Sequence, residues 1–206
     1  EMCIRDSNGS QEKYTLALTI LEDITVPMYV CAGNRDDRTL IAKNFQTGLA
    51  INADLEFLQY SINNYPVRLI ALDTLSTSTN MGDYCQVRAN HLGWMLAQEP
   101  QKPTVLFMHH PPFEVIDSKY PFQFEHWNTV DHLSHVLAQN SQVKQLFCGH
   151  THRNSNGQIL GIPASTVPSV AVDLRFGNVP DGAELRPIYH LHQFDGQQFQ
   201  SKMVVC

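Results

Sequence analysis

Three apolar runs in this chain each end on a polar group able to bind a metal. Residues 26–31 lead into Gly33, Asn34, Arg35, Asp36 and Asp37. Residues 103–108 lead into His109, His110, Pro111 and Pro112. Residues 143–148 lead into Gly149, His150, Thr151 and His152. Short apolar runs bounded by turn residues read as buried strands. In open α/β sheets, ligand sites gather outside the carboxyl ends of the strands. Three such ends converging on one edge would bring Asn34, His109, His150 and His152 together.

The rest of the chain supports a layered fold. Ser10 is placed to cap a helix carrying Tyr14, Leu18 and Leu21, with Leu16, Ile20 and Ile24 beside them. A short helix is expected after Asp37. Residues 55–62 and 67–72 read as neighbouring strands joined through Tyr65 and Pro66. Residues 86–98 form a helical pattern with Val87, Leu92, Met95 and Leu96. Asn128 is a candidate cap for a helix with Val130, Leu133 and Leu137 on its apolar side. After residue 158 short strands alternate with turns at 161–163, 180–182 and 195–196. Helices alternating with strands early, and strands dominating late, predict an α/β layered fold with a large mixed sheet or two packed sheets.

Composition narrows the function classes. The net charge of −6 argues against a nucleic-acid polymer, which needs a basic face. A small anion remains compatible, because a bound metal supplies local positive charge. No apolar run is long enough to span a membrane, and residues 1–10 lack the pattern of a secretory signal. The five cysteines, Cys3, Cys31, Cys85, Cys148 and Cys206, are odd in number and form no close pair. They read as reduced thiols, which points to a cytoplasmic location. Residues 1–9 are polar and aperiodic and read as a disordered or foreign leader before a domain at 10–206.

The polar clusters carry the chemistry. In an extended loop, residues i and i+2 point the same way, so His150 and His152 are expected to face one pocket. Imidazole nitrogens with an amide oxygen suit Zn, Mn, Fe or Co rather than Ca or Mg. Two such metals about 3.5–4 Å apart can clamp a phosphate ester and activate an attacking hydroxide.

Taken together and in this order, the segments at 33–36, 109–112 and 149–152 resemble the later motifs of calcineurin-like metallophosphoesterases. The resemblance is to the branch of class III cyclic-nucleotide phosphodiesterases and glycerophosphodiesterases. Leu72, Asp73 and Thr74, and Gly161, Ile162 and Pro163, are similar to that branch as well. The likeness runs from about Gln11 to the end. It implies a four-layer αββα sandwich with two mixed sheets. It implies Asn34, His109 and His150 as ligands of one metal and His152 as a ligand of a second. His109 is preferred to His110 because it directly ends its strand, as the family ligand does. His110 and Arg35 are the candidate catalytic residues.

Two departures from the family pattern shape the expectations. The family's opening Asp-x-His and Gly-Asp motifs do not precede Gly33, so the first strands of the fold are expected to be missing. A parent enzyme would carry two divalent transition metals (Mn, Fe, Zn or Co), and at most one is expected here. The family's usual His after the Asn is Arg35. Arginine stays protonated and is a poor general acid, but it can bind phosphate and stabilise developing charge.

The expected reaction is metal-dependent hydrolysis of a small phosphodiester, 3′,5′-cyclic nucleotides ahead of glycerophosphodiesters, with weak or no turnover from this chain. Alternatives are a phosphomonoesterase or protein phosphatase on the same fold, and an inert fragment or binding module. The partners expected are the small substrate and a second copy of the chain, with no nucleic-acid polymer and no membrane. Phe113, Tyr120, Phe122, Phe124 and Trp127 suit either a lid or core packing. His91, His132, His135, His190 and His192 are read as surface or strand decoration, and His126 as a candidate for a substrate entrance.

Overall fold

A computed structural model describes residues 9–45 and 56–206. Its centre is a six-stranded mixed sheet. The strands are β1 (Tyr60–Ile62), β2 (Arg68–Ala71), β3 (Thr104–Met108), β4 (Val143–Cys148), β5 (Ser155–Ile159) and β6 (Ile162–Thr166), in the order β1-β2-β3-β4-β6-β5. β2, β3, β4 and β6 run parallel, and the two edge strands are antiparallel. Parallel neighbours need crossovers. Helix α3 (Gln86–Gln98) lies between β2 and β3, and α4 (Val130–Ala138) between β3 and β4.

These crossover helices cover one face. Ala89, Leu92, Met95 and Leu96 of α3 recur at helical spacing and pack with Leu106, Leu133 and Leu146, all of them buried. Each leucine fully buried there contributes about 1.5–3 kcal/mol of transfer free energy. Val87 is about half exposed, because it shares the outer stripe with His91 and Trp94; Ala89 takes the core position instead.

The other face is covered by α1 (Gln11–Leu21), α2 (Arg38–Asn44) and a hairpin of β7 (Ile188–Phe194) and β8 (Phe199–Val205). Tyr14 and Ile41 pack there with Ala71 and Phe107. In α1 the buried pair is Tyr14 and Ala17, while Leu16, Ile20 and Ile24 are exposed. The inner face is therefore the stripe of Tyr14, Leu18 and Leu21, the two leucines half-buried, as their spacing predicts. The α/β layering matches expectation, although among the described residues the second sheet is an antiparallel hairpin rather than a mixed sheet.

Two local expectations change. Among the described residues, 26–31 form no ladder. The N–H of Val30 donates to the Tyr60 hydroxyl, and the Val30 carbonyl accepts from it, so a side chain satisfies groups that a strand partner would otherwise take. Asn128 lies inside a 3₁₀ turn (Trp127–Thr129), and the residue flanking α4 is Thr129. Residues 1–8, including Cys3, lie outside the described residues, as does Leu55; Gly9 donates to the carbonyl of Arg35. Among the described residues no helix is long and apolar enough to cross a membrane.

The hairpin carries a pH dependence. His192 stacks on Phe147 at 3.7 Å between ring centroids. Burial, with a smaller contribution from His190, lowers its pKa from 6.5 to about 4. A depressed histidine pKa contributes stability that is complete above pH 6.5 and is lost as pH falls toward 4. The thermal midpoint should therefore drop across that window. His192→Phe, which keeps the stack, should flatten the dependence; an unchanged slope would show that the ring does not titrate as described.

Candidate metal centre

The site grows from the register of two parallel strands. Met108 at the end of β3 pairs with Cys148 at the end of β4. His109 and Gly149 therefore leave the sheet side by side, and the N–H of Gly149 donates to the carbonyl of His109 at 2.9 Å. His150 then adopts a left-handed backbone, with φ of 68°. This turns its ring back over the strand end, with Nδ1 3.0 Å from His109 Nε2.

Asn34 reaches the same nitrogen from a third loop, its Oδ1 lying 2.9 Å from His109 Nε2. The turn that carries it is tightly held. Asp36 accepts from the N–H of Gly33 at 2.8 Å and from the Tyr14 hydroxyl at 2.7 Å, and Asp37 caps α2 through the N–H of Leu40. Both carboxylates thus shape the turn, and burial together with Asp36 pushes the Tyr14 phenol pKa up.

The donor set can be tested against a metal. Ring nitrogens at about 2.0–2.1 Å from a tetrahedral ion stand roughly 3.3 Å apart. The separations of His109 Nε2 from Asn34 Oδ1, 2.9 Å, and from His150 Nδ1, 3.0 Å, need only a few tenths of an ångström of expansion to reach that spacing. The potential ligand atoms of His109, His110 and His150 all lie within 4.8 Å of one another. A neutral nitrogen and oxygen set fits a divalent transition metal.

His110 is fully buried behind this cluster, its ring 4.4 Å from that of His150. Its Nδ1 lies 2.8 Å from the Thr74 hydroxyl and its Nε2 lies 3.2 Å from the carbonyl of Asn80. The carbonyl takes the Nε2 proton, which leaves Nδ1 to accept from Thr74. Burial, and then His109 and His150, push its pKa well below 6.5, so the ring stays neutral. Gly82 is required beside it: a Cβ there would lie 2.9 Å from both Cβ and Cγ of His110.

His152 stands apart from the three-imidazole group. The chain at 150–152 is not extended, since His152 also has positive φ, 55°, so the alternation expected of a strand does not apply. Its Nδ1 donates to the carbonyl of Leu174 at 2.9 Å, the kind of bond that orients metal-binding imidazoles. Arg35 is exposed on the Asn34 turn. A cleft of about 590 Å³ has both basic and acidic lining, including Arg38, Arg88, Glu56, Asp83, Glu125 and His126, and Asn34, His109, His150 and His152 are not among its lining residues. Of the aromatic segment, Phe113 and Phe124 are core, while Tyr120, Phe122 and Trp127 remain partly exposed. Thr74, Asn80 and Gly82 support the site from outside the three motifs; Thr74 lies in the family-like segment 72–74, while Asn80 and Gly82 are identified only by their proximity in space.

The family model for calcineurin-like phosphoesterases matches residues 6–154. The chain belongs to the calcineurin-like phosphoesterase family. Calcineurin-like phosphoesterases are hydrolases that use divalent metals, and the imidazole cluster is a suitable holder for one. A protein of Arcobacter nitrofigilis named as a probable glycerophosphodiester phosphodiesterase, GpdQ, is 29% identical over 201 residues, covering 93% of this chain and 71% of its own. One of Rhodopseudomonas palustris named as a probable cyclic nucleotide phosphodiesterase is 30% identical over 177 residues, covering 84% of this chain and 63% of its own. The crystal structure of a dimetal phosphatase from Danio rerio superposes with a TM-score of 0.59 at 15% identity, over 77% of this chain and 67% of that one. That last likeness concerns the fold of this calcineurin-like phosphoesterase.

Proposed function

We propose that this phosphoesterase hydrolyses small phosphodiesters, 3′,5′-cyclic nucleotides ahead of glycerophosphodiesters, with a divalent metal held by Asn34, His109 and His150. The observation that carries the reading is the approach of Asn34 Oδ1, from a loop, and His150 Nδ1 to His109 Nε2, at 2.9 and 3.0 Å, beside the ends of two parallel strands. The names of the two bacterial relatives supply the diester class.

A bound divalent metal supplies Lewis-acid stabilisation of the phosphoryl oxygens. The chain's own residues do the rest. Asn34 and the two imidazoles present lone pairs from three separate elements. His152, oriented by Leu174, is the second-metal ligand that the resemblance implies, but it brings one imidazole and the proposal rests on a single metal. Arg35 remains protonated and provides a charge-assisted hydrogen bond to the phosphate, which strengthens as charge develops. His110, neutral and braced at both nitrogens, holds the His150 ring in place.

The test is a substrate panel with the protein loaded with Mn²⁺. Bis-p-nitrophenyl phosphate should be cleaved at least about ten times faster than p-nitrophenyl phosphate, cyclic AMP faster than glycerophosphoethanolamine, and chelation should stop every reaction. A preference for the monoester would replace the diesterase reading with a phosphatase one.

A further inference from the structure

We propose that Asp73 is a positioning residue for the metal centre and that it acts through Arg38 on the Asn34 turn. This rests on the reading of Asn34, His109 and His150 as metal ligands.

The Asp73 side chain is fully buried at the end of β2, the strand next to β3. Its carboxylate accepts four hydrogen bonds. Arg38 Nε donates to Oδ2 at 2.6 Å and Nη2 to Oδ1 at 2.9 Å. The backbone N–H of Leu58 donates to Oδ2 at 2.8 Å and that of Leu75 to Oδ1 at 3.0 Å. Arg38 also donates to the carbonyl of Leu75 at 2.6 Å. A bidentate guanidinium–carboxylate pair fixes direction as well as distance.

Two arms of the site meet at this pair. Arg38 is the first residue of α2, four positions after Asn34, and the intervening turn is already rigid through Asp36 and Asp37. Pulling Arg38 onto Asp73 therefore sets how far Asn34 reaches toward His109. Thr74, the residue after Asp73, holds His110 Nδ1, and His110 packs against His150. One carboxylate thus ties the loop bearing the amide ligand to the strand edge bearing the imidazoles. A buried ion pair is weak evidence of a purely stabilising role, because apolar replacements of such pairs are often neutral or better. Its geometric role accounts for the four-fold hydrogen bonding of a carboxylate at this position.

The test titrates Co²⁺ into the full chain, following its visible absorption bands, beside thermal midpoints for the same variants. Asp73→Asn and Arg38→Met should each weaken Co²⁺ binding about ten-fold, the scale on which outer partners of metal ligands act. Asn34→Ala should weaken it too. The double variant Asp73→Asn/Asn34→Ala should bind no worse than Asn34→Ala alone, because both act through the same ligand. Leu137→Ala, a core truncation in α4, supplies the control: it should lower the midpoint and leave Co²⁺ affinity unchanged. If Asp73→Asn does not fold, Arg38→Met carries the same comparison. Affinity within two-fold of the parent in the Asp73 and Arg38 variants, with Asn34→Ala impaired, overturns the proposal alone. Affinity loss in Leu137→Ala matching that of Asp73→Asn also overturns it, by showing a general effect of stability. An unimpaired Asn34→Ala would remove the metal-site reading and this proposal with it.

Discussion

His109→Ala should weaken divalent-metal binding by more than about 100-fold, beyond the roughly 10–100-fold that outer partners of a ligand control. His109 Nε2 is the atom that both Asn34 Oδ1 and His150 Nδ1 approach, so its removal takes away the centre of the donor set rather than one corner. The ring is buried, and the Asn34 amide and the His150 imidazole would be left facing a void. Isothermal titration with Mn²⁺ reads the loss directly, and turnover of bis-p-nitrophenyl phosphate should fall in step. His110→Ala provides the contrast: it removes a brace and should give a smaller loss. Equal metal affinity in His109→Ala and the parent chain would mean that the converging atoms are a hydrogen-bonded cluster and nothing more.

Gly157→Val should be among the most destabilising single changes in the chain. Gly157 lies in edge strand β5, and the Phe113 ring occupies the space a side chain would take: a Cβ there would sit 2.2 Å from Phe113 Cδ2 and 2.5 Å from Cγ. Phe113 cannot swing aside freely. It is buried in the main core and follows two prolines directly after the site histidines. Overpacking of this kind costs typically 1–3 kcal/mol and more when a whole ring must move. About 3 kcal/mol corresponds to a fall of about 6–12 °C in a domain of this size. Thermal denaturation measures it. Phe113→Ala in the Gly157→Val background should recover part of the loss although Phe113→Ala alone is destabilising, because the two positions compete for one volume.

Much of this was readable before any coordinates. Strand β3 announces itself through the apolar run at 105–108, β4 through Leu146, Phe147 and Cys148 ahead of Gly149, and helix α3 through its helical spacing. The strand-end rule then brings His109 and His150 to one edge, and Asn34 reaches them from a loop. What was hidden depends on geometry that spacing does not encode. Residues 26–31 look like a strand, but a strand exists only where a neighbour completes its ladder, and here Tyr60 does so with one hydroxyl. His152 is visible as a histidine but not as one turned toward Leu174, since the left-handed backbone at 150 and 152 leaves no composition signal in a non-glycine residue. Asp73 falls in the Leu72–Thr74 segment, but nothing in the spacing pairs it with Arg38, 35 positions away; the two meet because α2 docks at the end of β2.

The left-handed backbone at His150 and His152 sets evolution of this loop against itself. For residues with a Cβ that conformation costs roughly 1–2 kcal/mol each relative to the usual right-handed one. Glycine would relieve it at both positions. Selection for heat resistance alone should therefore drift toward glycine at 150 and 152 and in doing so erase the imidazoles. A lineage that keeps both histidines is trading durability for reactivity at two named positions, and thermostabilising this scaffold would have to come from anywhere but that loop.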